Sequence, residues 1–164
     1  HGTIGQASAV VYRTDWHDLI AINGEFFQAN NIDRSRLEGI ELQYSLARNG
    51  WLLKASATLE RTEDLLSCQN LLRRPEEKGA VTLDRRFTNG SWLGIEWFHS
   101  GERQDFGGIT LASYDLLNLR AGWAFTPAWR LEFRGDNVTD KFYEPAYGFN
   151  AAGRAWYLSI AWLP

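Results

Sequence analysis

Four ionisable residues spaced two apart, Arg130, Glu132, Arg134 and Asp136, put alternating charges on one short run of the chain. On an extended strand alternate side chains share a face, so this run shows two cations and two carboxylates to one side. In a dry core each would carry a large desolvation penalty unless paired. Facing water, they either line a solute path or pair with neighbours across the sheet. A second group is Tyr143, Tyr147, Phe149 and Asn150, close together in a segment containing Gly148 and Gly153. Rings and polar tips suit capture of a large, partly apolar ligand; the same residues also suit a loop packed on a rim. Asp105 and Phe106, ahead of Gly107 and Gly108, form another candidate binding loop. Arg154 reads as a rim pairing residue.

No catalytic constellation emerges. In His99-Ser100 base and nucleophile are adjacent, but adjacent strand residues diverge, whereas the chemistry needs them within hydrogen-bond reach. The chain is therefore not read as an enzyme. Asp15-Trp16-His17-Asp18 has ligand-type side chains, yet a strand turns His17 away from Asp18, and metal sites need converging ligands. It reads as a solvated strand end; no metal and no cofactor is expected. Cys68, the single cysteine, reads as a free thiol, with a bond to a segment outside this chain as the alternative.

These groups sit on or between alternating runs. The clearest is Leu53-Lys54-Ala55-Ser56-Ala57-Thr58-Leu59-Glu60, apolar on one face and polar on the other. About eight such runs are expected, as antiparallel up-and-down strands: 6–20, 37–46, 51–61, 79–87, 92–100, 114–124, 129–137 and 154–163. Asn49-Gly50, Asn89-Gly90 and Thr126-Pro127 mark tight turns. Segments 23–34, 62–77, 101–113 and 138–153 read as long loops, with a short helical turn expected around the Leu65-Leu66 and Leu71-Leu72 pairs. Short and long connections alternate, as in membrane barrels.

Which face meets which solvent decides the fold. A small soluble barrel must fill its centre with packed side chains, which the Arg130–Asp136 face contradicts. A wet lumen with apolar faces turned to lipid removes the conflict. The eight tryptophans suit membrane boundaries, and Arg85, which breaks an apolar face near a strand end, can reach the interface. No stretch approaches the roughly 18 apolar residues of a spanning helix, and a net charge of -3 without a basic stripe gives no case for nucleic acid.

The last third carries a family pattern. Arg134-Gly135-Asp136-Asn137-Val138-Thr139-Asp140-Lys141-Phe142-Tyr143-Glu144-Pro145 resembles the penultimate strand and turn of TonB-dependent outer-membrane receptors. Tyr147-Gly148-Phe149-Asn150-Ala151-Ala152-Gly153-Arg154 resembles their last outer loop, closest to the cobalamin-transporter branch. Upstream, Asp18-Leu19-Ile20, Asn30-Asn31-Ile32-Asp33, Leu37-Glu38-Gly39-Ile40-Glu41 and Arg73-Arg74-Pro75 fit in order. The chain departs from the family at its end, where Leu163-Pro164 follows Trp162 in place of a terminal aromatic residue.

The resemblance implies an all-β architecture: a partial transmembrane barrel from a receptor of about 22 strands. Residues 1–164 would be the C-terminal part of the barrel, without the plug domain. It implies uptake of cobalamin or a related large solute across the outer membrane of a Gram-negative bacterium. The partners would be outer-membrane lipid, a corrinoid-like solute, and TonB only through the plug region. Such a fragment would leave strands one and eight as edges. The alternatives are a self-standing eight-stranded outer-membrane barrel with a structural or adhesive role, and a soluble β-binding module.

Overall fold

The computed structural model describes residues 3–22 and 29–162. In chain order the strands are β1 (Ile4–Ile22), β2 (Ala29–Arg48), β3 (Trp51–Asp64), β4 (Gln69–Asn70), β5 (Glu77–Arg86), β6 (Trp92–Ser100), β7 (Arg103–Gln104), β8 (Thr110–Leu111), β9 (Tyr114–Ala124), β10 (Trp129–Asp136) and β11 (Ala155–Trp162). The eight long strands form one antiparallel sheet in the order β1-β2-β3-β5-β6-β9-β10-β11, with β4 folded back on β3. The path does not return: among the described residues β1 and β11 are the two edges and do not pair with each other. A self-closed eight-stranded barrel is thus not what these strands form.

Register carries the apolar face from strand to strand. Leu42 lies opposite Ala57, Leu53 opposite Leu83, Leu83 opposite Ile95, Ile95 opposite Leu119, and Leu131 opposite both Trp123 and Ile160. Side chains opposite each other point the same way, so one side of the sheet is a continuous apolar belt. That belt covers no core. Leu83 is 37% exposed, Leu158 69% and Ile160 62%. Among the described residues, the buried hydrophobic side chains are Leu71 and Leu111, and both sit in outer connections. From Trp51 to Leu59 the belt follows eight residue rises, about 26 Å along the strand. Tilted, that is close to the apolar band of an outer-membrane barrel.

Aromatic rings edge the belt beside the tight turns. Trp129 and Trp162 lie 6.4 Å apart, and Trp123 and Phe125 5.9 Å apart. Glycines on the sheet make room for rings as well. A Cβ on Gly39 would come 2.8 Å from the Tyr12 hydroxyl and 2.6 Å from the Leu59 carbonyl oxygen. Trp92 covers Gly122, and Trp156 covers Gly135.

Two expectations change. The strand expected over 37–46 begins at Ala29 and pairs with β1 up to Ile22, so much of the expected 23–34 loop is strand. Past Val11 and Ile40 the belt-side positions of this hairpin turn charged, with Arg13 opposite Glu38 and Asp15 opposite Arg36. Of the helical turn expected in 62–77, a single turn forms around Leu65-Leu66, closed by the Cys68 N–H on the Asp64 carbonyl at 2.8 Å, and it does not continue into a helix. The Asp64 carboxylate holds it, accepting from the Leu66 N–H at 2.9 Å and the Ser67 hydroxyl at 2.8 Å. Residues 23–28 of the expected first loop and the Leu163-Pro164 terminus lie outside the described residues.

Candidate functional site

The face opposite the belt is a paired-charge wall. On β10 the pairs form along the strand: Arg130 with Glu132 at 3.8 Å and Arg134 with Asp136 at 3.2 Å. The Arg134 guanidinium also lies 4.2 Å over the Tyr157 ring on β11. Farther along, Arg120 reaches Asp84 at 3.0 Å, passing over Gly94, where a Cβ would collide with both side chains. Asn118 donates to Glu96 at 2.9 Å, and Lys78 pairs with Glu60 at 3.2 Å. Tyr12, Glu60, Lys78, Asp84 and Arg120 were not singled out from sequence. The parity of the alternation was the signal, since each sits on the polar face of its strand.

The long connections meet above this wall. Asp105 is 1% exposed. Its carboxylate accepts the main-chain N–H of Tyr147 and of Phe106, each at 2.7 Å, and Arg73 Nε at 3.0 Å. Burial works against its ionisation. The hydrogen bonds from Tyr147, Phe106 and Arg73, with the Arg73 charge, prevail and hold the carboxyl below its usual value. Arg103, also buried, donates to the carbonyls of Pro145, Glu144 and Gly101. Its guanidinium lies 5.2 Å over Tyr114, which packs 4.3 Å from Tyr143. Burial, then the neighbouring Tyr114, raises the Tyr143 phenol. Two charged residues of the 101–113 connection thereby tie together the 62–77 and 138–153 connections.

The sequence candidates separate accordingly. Tyr147 and Phe149 stand out at 55% and 61% exposed, with Asn150 exposed beside them. Gly148, at φ 77, turns the chain between the two rings, and the Phe149 N–H bonds to the Ala146 carbonyl. Tyr143 is half-buried in the ring stack. Phe106 lies under the Arg73 guanidinium at 4.8 Å. Asp105 faces inward and organises loops. Asn137 and Asp140 take left-handed backbone, φ 48 and 55, which Asn and Asp tolerate. Asn137 bonds both ways with the Lys141 main chain. Arg154 pairs with Asp140 at 3.9 Å, at the rim. Arg73 entered the sequence reading only within the Arg73-Arg74-Pro75 family pattern and Arg103 not at all, because their partners are distant in sequence.

A cavity of about 1080 Å³, open on one side, lies where wall and loops meet; Tyr12, Glu60, Asn70, Arg74, Glu102 and Arg103 contribute to it. Val11, Ile40 and Leu59 also contribute, so the lining mixes apolar surface with groups that can hydrogen-bond a solute.

His99 and Ser100 point apart. Ser100 is buried, while His99 lies on the belt side, 2.9 Å from Asp115, with its ring 5.9 Å from Trp97. Asp15 pairs with Arg36 at 2.7 Å. Among the described residues no group of three or more His, Cys, Asp or Glu side chains is placed to hold a metal ion. Cys68 is an exposed free thiol.

An open antiparallel wall with a greasy outer face, a charge-paired inner face and loops gathered at one end defines part of an outer-membrane receptor barrel. Residues 1–138 match the family model described as TonB dependent receptor-like, beta-barrel, and the chain belongs to that family. The vitamin B12 transporter BtuB of Vibrio cholerae serotype O1 is 29% identical over 140 residues, covering 81% of this chain and 23% of the transporter. The vitamin B12 transporter BtuB of Vibrio vulnificus is 25% identical over 164 residues, covering 94% and 27%. The chain thus spans about a quarter of the length of these relatives. Among solved structures, the copper transporter OprC superposes with a TM-score of 0.78 at 20% identity, over 97% of this chain and 28% of that one. The ferripyoverdine receptor of the Pseudomonas aeruginosa outer membrane gives 0.78 at 16%, over 96% and 25%. At these identities the likeness is one of fold. The family comprises transporters and receptors of the Gram-negative outer membrane, not enzymes. Its members bind large solutes such as vitamin B12 and siderophores and interact with TonB.

Proposed function

We propose that this chain forms the C-terminal wall and outer rim of a receptor that takes up cobalamin or a related large solute. It would sit in the outer membrane of a Gram-negative bacterium. TonB would be engaged through a plug region outside these 164 residues. The observation that carries this reading is the Tyr147-Gly148-Phe149 turn. Two exposed rings are held at the mouth by a hydrogen bond from the Tyr147 N–H to buried Asp105. Such a platform suits the broad, partly apolar face of a corrinoid, and the similarity to vitamin B12 transporters favours that solute over a ferric siderophore. The Arg130–Asp136 row, paired within itself, would serve as wetted lining and not as a primary contact.

The test is equilibrium binding of cyanocobalamin to the full-length protein in detergent, competed by a ferric siderophore. Saturable binding that falls about tenfold in Tyr147→Ala/Phe149→Ala, at about 1.4 kcal/mol for the pair of contacts, supports the reading. Binding of the siderophore alone overturns the choice of solute.

A further inference from the structure

We propose that Arg48 and Arg85, flanking Trp51 on the apolar face, form a docking site for the phosphodiester headgroup of a glycerophospholipid in the adjoining leaflet. The inference rests on the membrane orientation proposed above.

Register sets the arrangement. Arg48 lies opposite Trp51, and Trp51 lies opposite Arg85. The three side chains therefore project from one face at one height, and strand spacing puts the two arginine Cα atoms about 10 Å apart. Arg85 is fixed in place. Its guanidinium lies 5.1 Å over the Trp51 ring and 5.6 Å over the Phe87 ring, and one Nη1 hydrogen goes to the Asn49 carbonyl of the tight turn. That leaves most of its five donors unengaged. Arg48 is exposed. Neither arginine has a carboxylate partner among the described residues, whereas the belt-side Arg36 at the loop end is paired with Asp15.

The charge is one-sided. At the tight-turn end the belt face holds these two arginines among Leu46, Leu53, Leu83 and Leu93 and no acidic residue. Every acidic residue on this face lies toward the loop end: Asp15, Glu38, Glu63, Glu77 and Asp115. Two unpaired guanidiniums at the edge of an apolar belt must find an anion or stay in water. Phosphate oxygens at headgroup height accept the planar fork, and the acyl chains continue along the leucines. Stacking on Trp51 and Phe87 pre-orders Arg85 for that contact.

The experiment is native mass spectrometry of the full-length protein released from detergent in the presence of phosphatidylglycerol. Unaltered protein and Arg61→Gln, which alters a belt-side cation at the opposite end, are expected to keep matching phospholipid adducts. Arg48→Gln/Arg85→Gln is expected to lose about tenfold in apparent affinity. Equal adducts on the double variant, or an equal loss in Arg61→Gln, overturn the docking site alone. No adduct on any form, unaltered protein included, overturns the membrane orientation with it. Should the double variant fail to fold, phosphatidylglycerol with a photoreactive headgroup can be cross-linked to unaltered protein. Label on peptides holding Arg48–Trp51 and Arg85–Phe87 supports the site, and label confined to 101–113 or 137–154 overturns it.

Discussion

The Asp105 carboxylate accepts the Tyr147 main-chain N–H at 2.7 Å, across 42 positions of sequence. One buried acid on one outer connection thereby sets the position of an exposed aromatic turn on another. With Arg73 as its third donor, Asp105 is the point where three connections are joined.

Replacing Asp105 by Ala removes acceptors for two N–H groups and leaves the Arg73 guanidinium without its carboxylate. A loss of about 2–3 kcal/mol in the closed loop arrangement is expected. Asp105→Asn, which keeps one acceptor oxygen, should lose less. Amide hydrogen exchange at Tyr147 and Phe149 measures it: faster exchange there, with the sheet amides unchanged, is the expected result.

Acid should act through the same group. The folded-state pKa of Asp105 is depressed, so its contribution is complete above the unfolded value of about 3.9 and is lost as pH falls through the folded value. Between pH 5 and 8 loop protection should stay flat, and it should fall only below about pH 4. Limited proteolysis of the 138–153 segment across that range checks the sign; a rise in protection on acidification contradicts it.

Side-chain orientation can be tested at two neighbouring positions on β5. Leu83 faces the belt and Thr82 the opposite wall. Leu83→Arg should cost about 2–4 kcal/mol if Leu83 lies near the bilayer midplane, while Thr82→Arg should be mild. Equilibrium unfolding from lipid vesicles gives both values, and equal costs would refute the assignment of faces.

Two glycines on the sheet should respond differently to one added methyl. Gly39→Ala places a carbon 2.6 Å from the Leu59 carbonyl oxygen and 2.8 Å from the Tyr12 hydroxyl, while the nearest atom to a Cβ on Gly79 is 3.6 Å away. The first should destabilise by about 1–3 kcal/mol; the second should be near neutral. Thermal unfolding of the two variants side by side provides the comparison.

Much of the wall was legible because lipid and water on opposite faces write their difference into alternate residues. β6 and β9 have the bounds that alternation implied, Trp92–Ser100 and Tyr114–Ala124. The rule failed where it lost its cause. On the β1–β2 hairpin the belt side turns charged past Val11 and Ile40, with Arg13 opposite Glu38 and Asp15 opposite Arg36, and the part of β2 that precedes these pairs, within 23–34, read as loop. The site was legible in part. Tyr147 and Phe149 are as exposed as their loop setting implied, but Asp105 and Arg103 are buried by connections far away in the chain. Spacing along one loop carries no sign of what another loop will bring to it.

Leu71 and Leu111, the two buried hydrophobic residues among those described, both lie in the connections and not on the long strands. The outer cap therefore owns a small interior, while the wall borrows its interior from the surrounding bilayer. These are two materials with separate melting laws. Warming should loosen the cap while the wall holds, and swapping lipid for a shorter-chain detergent should shift the second transition and spare the first.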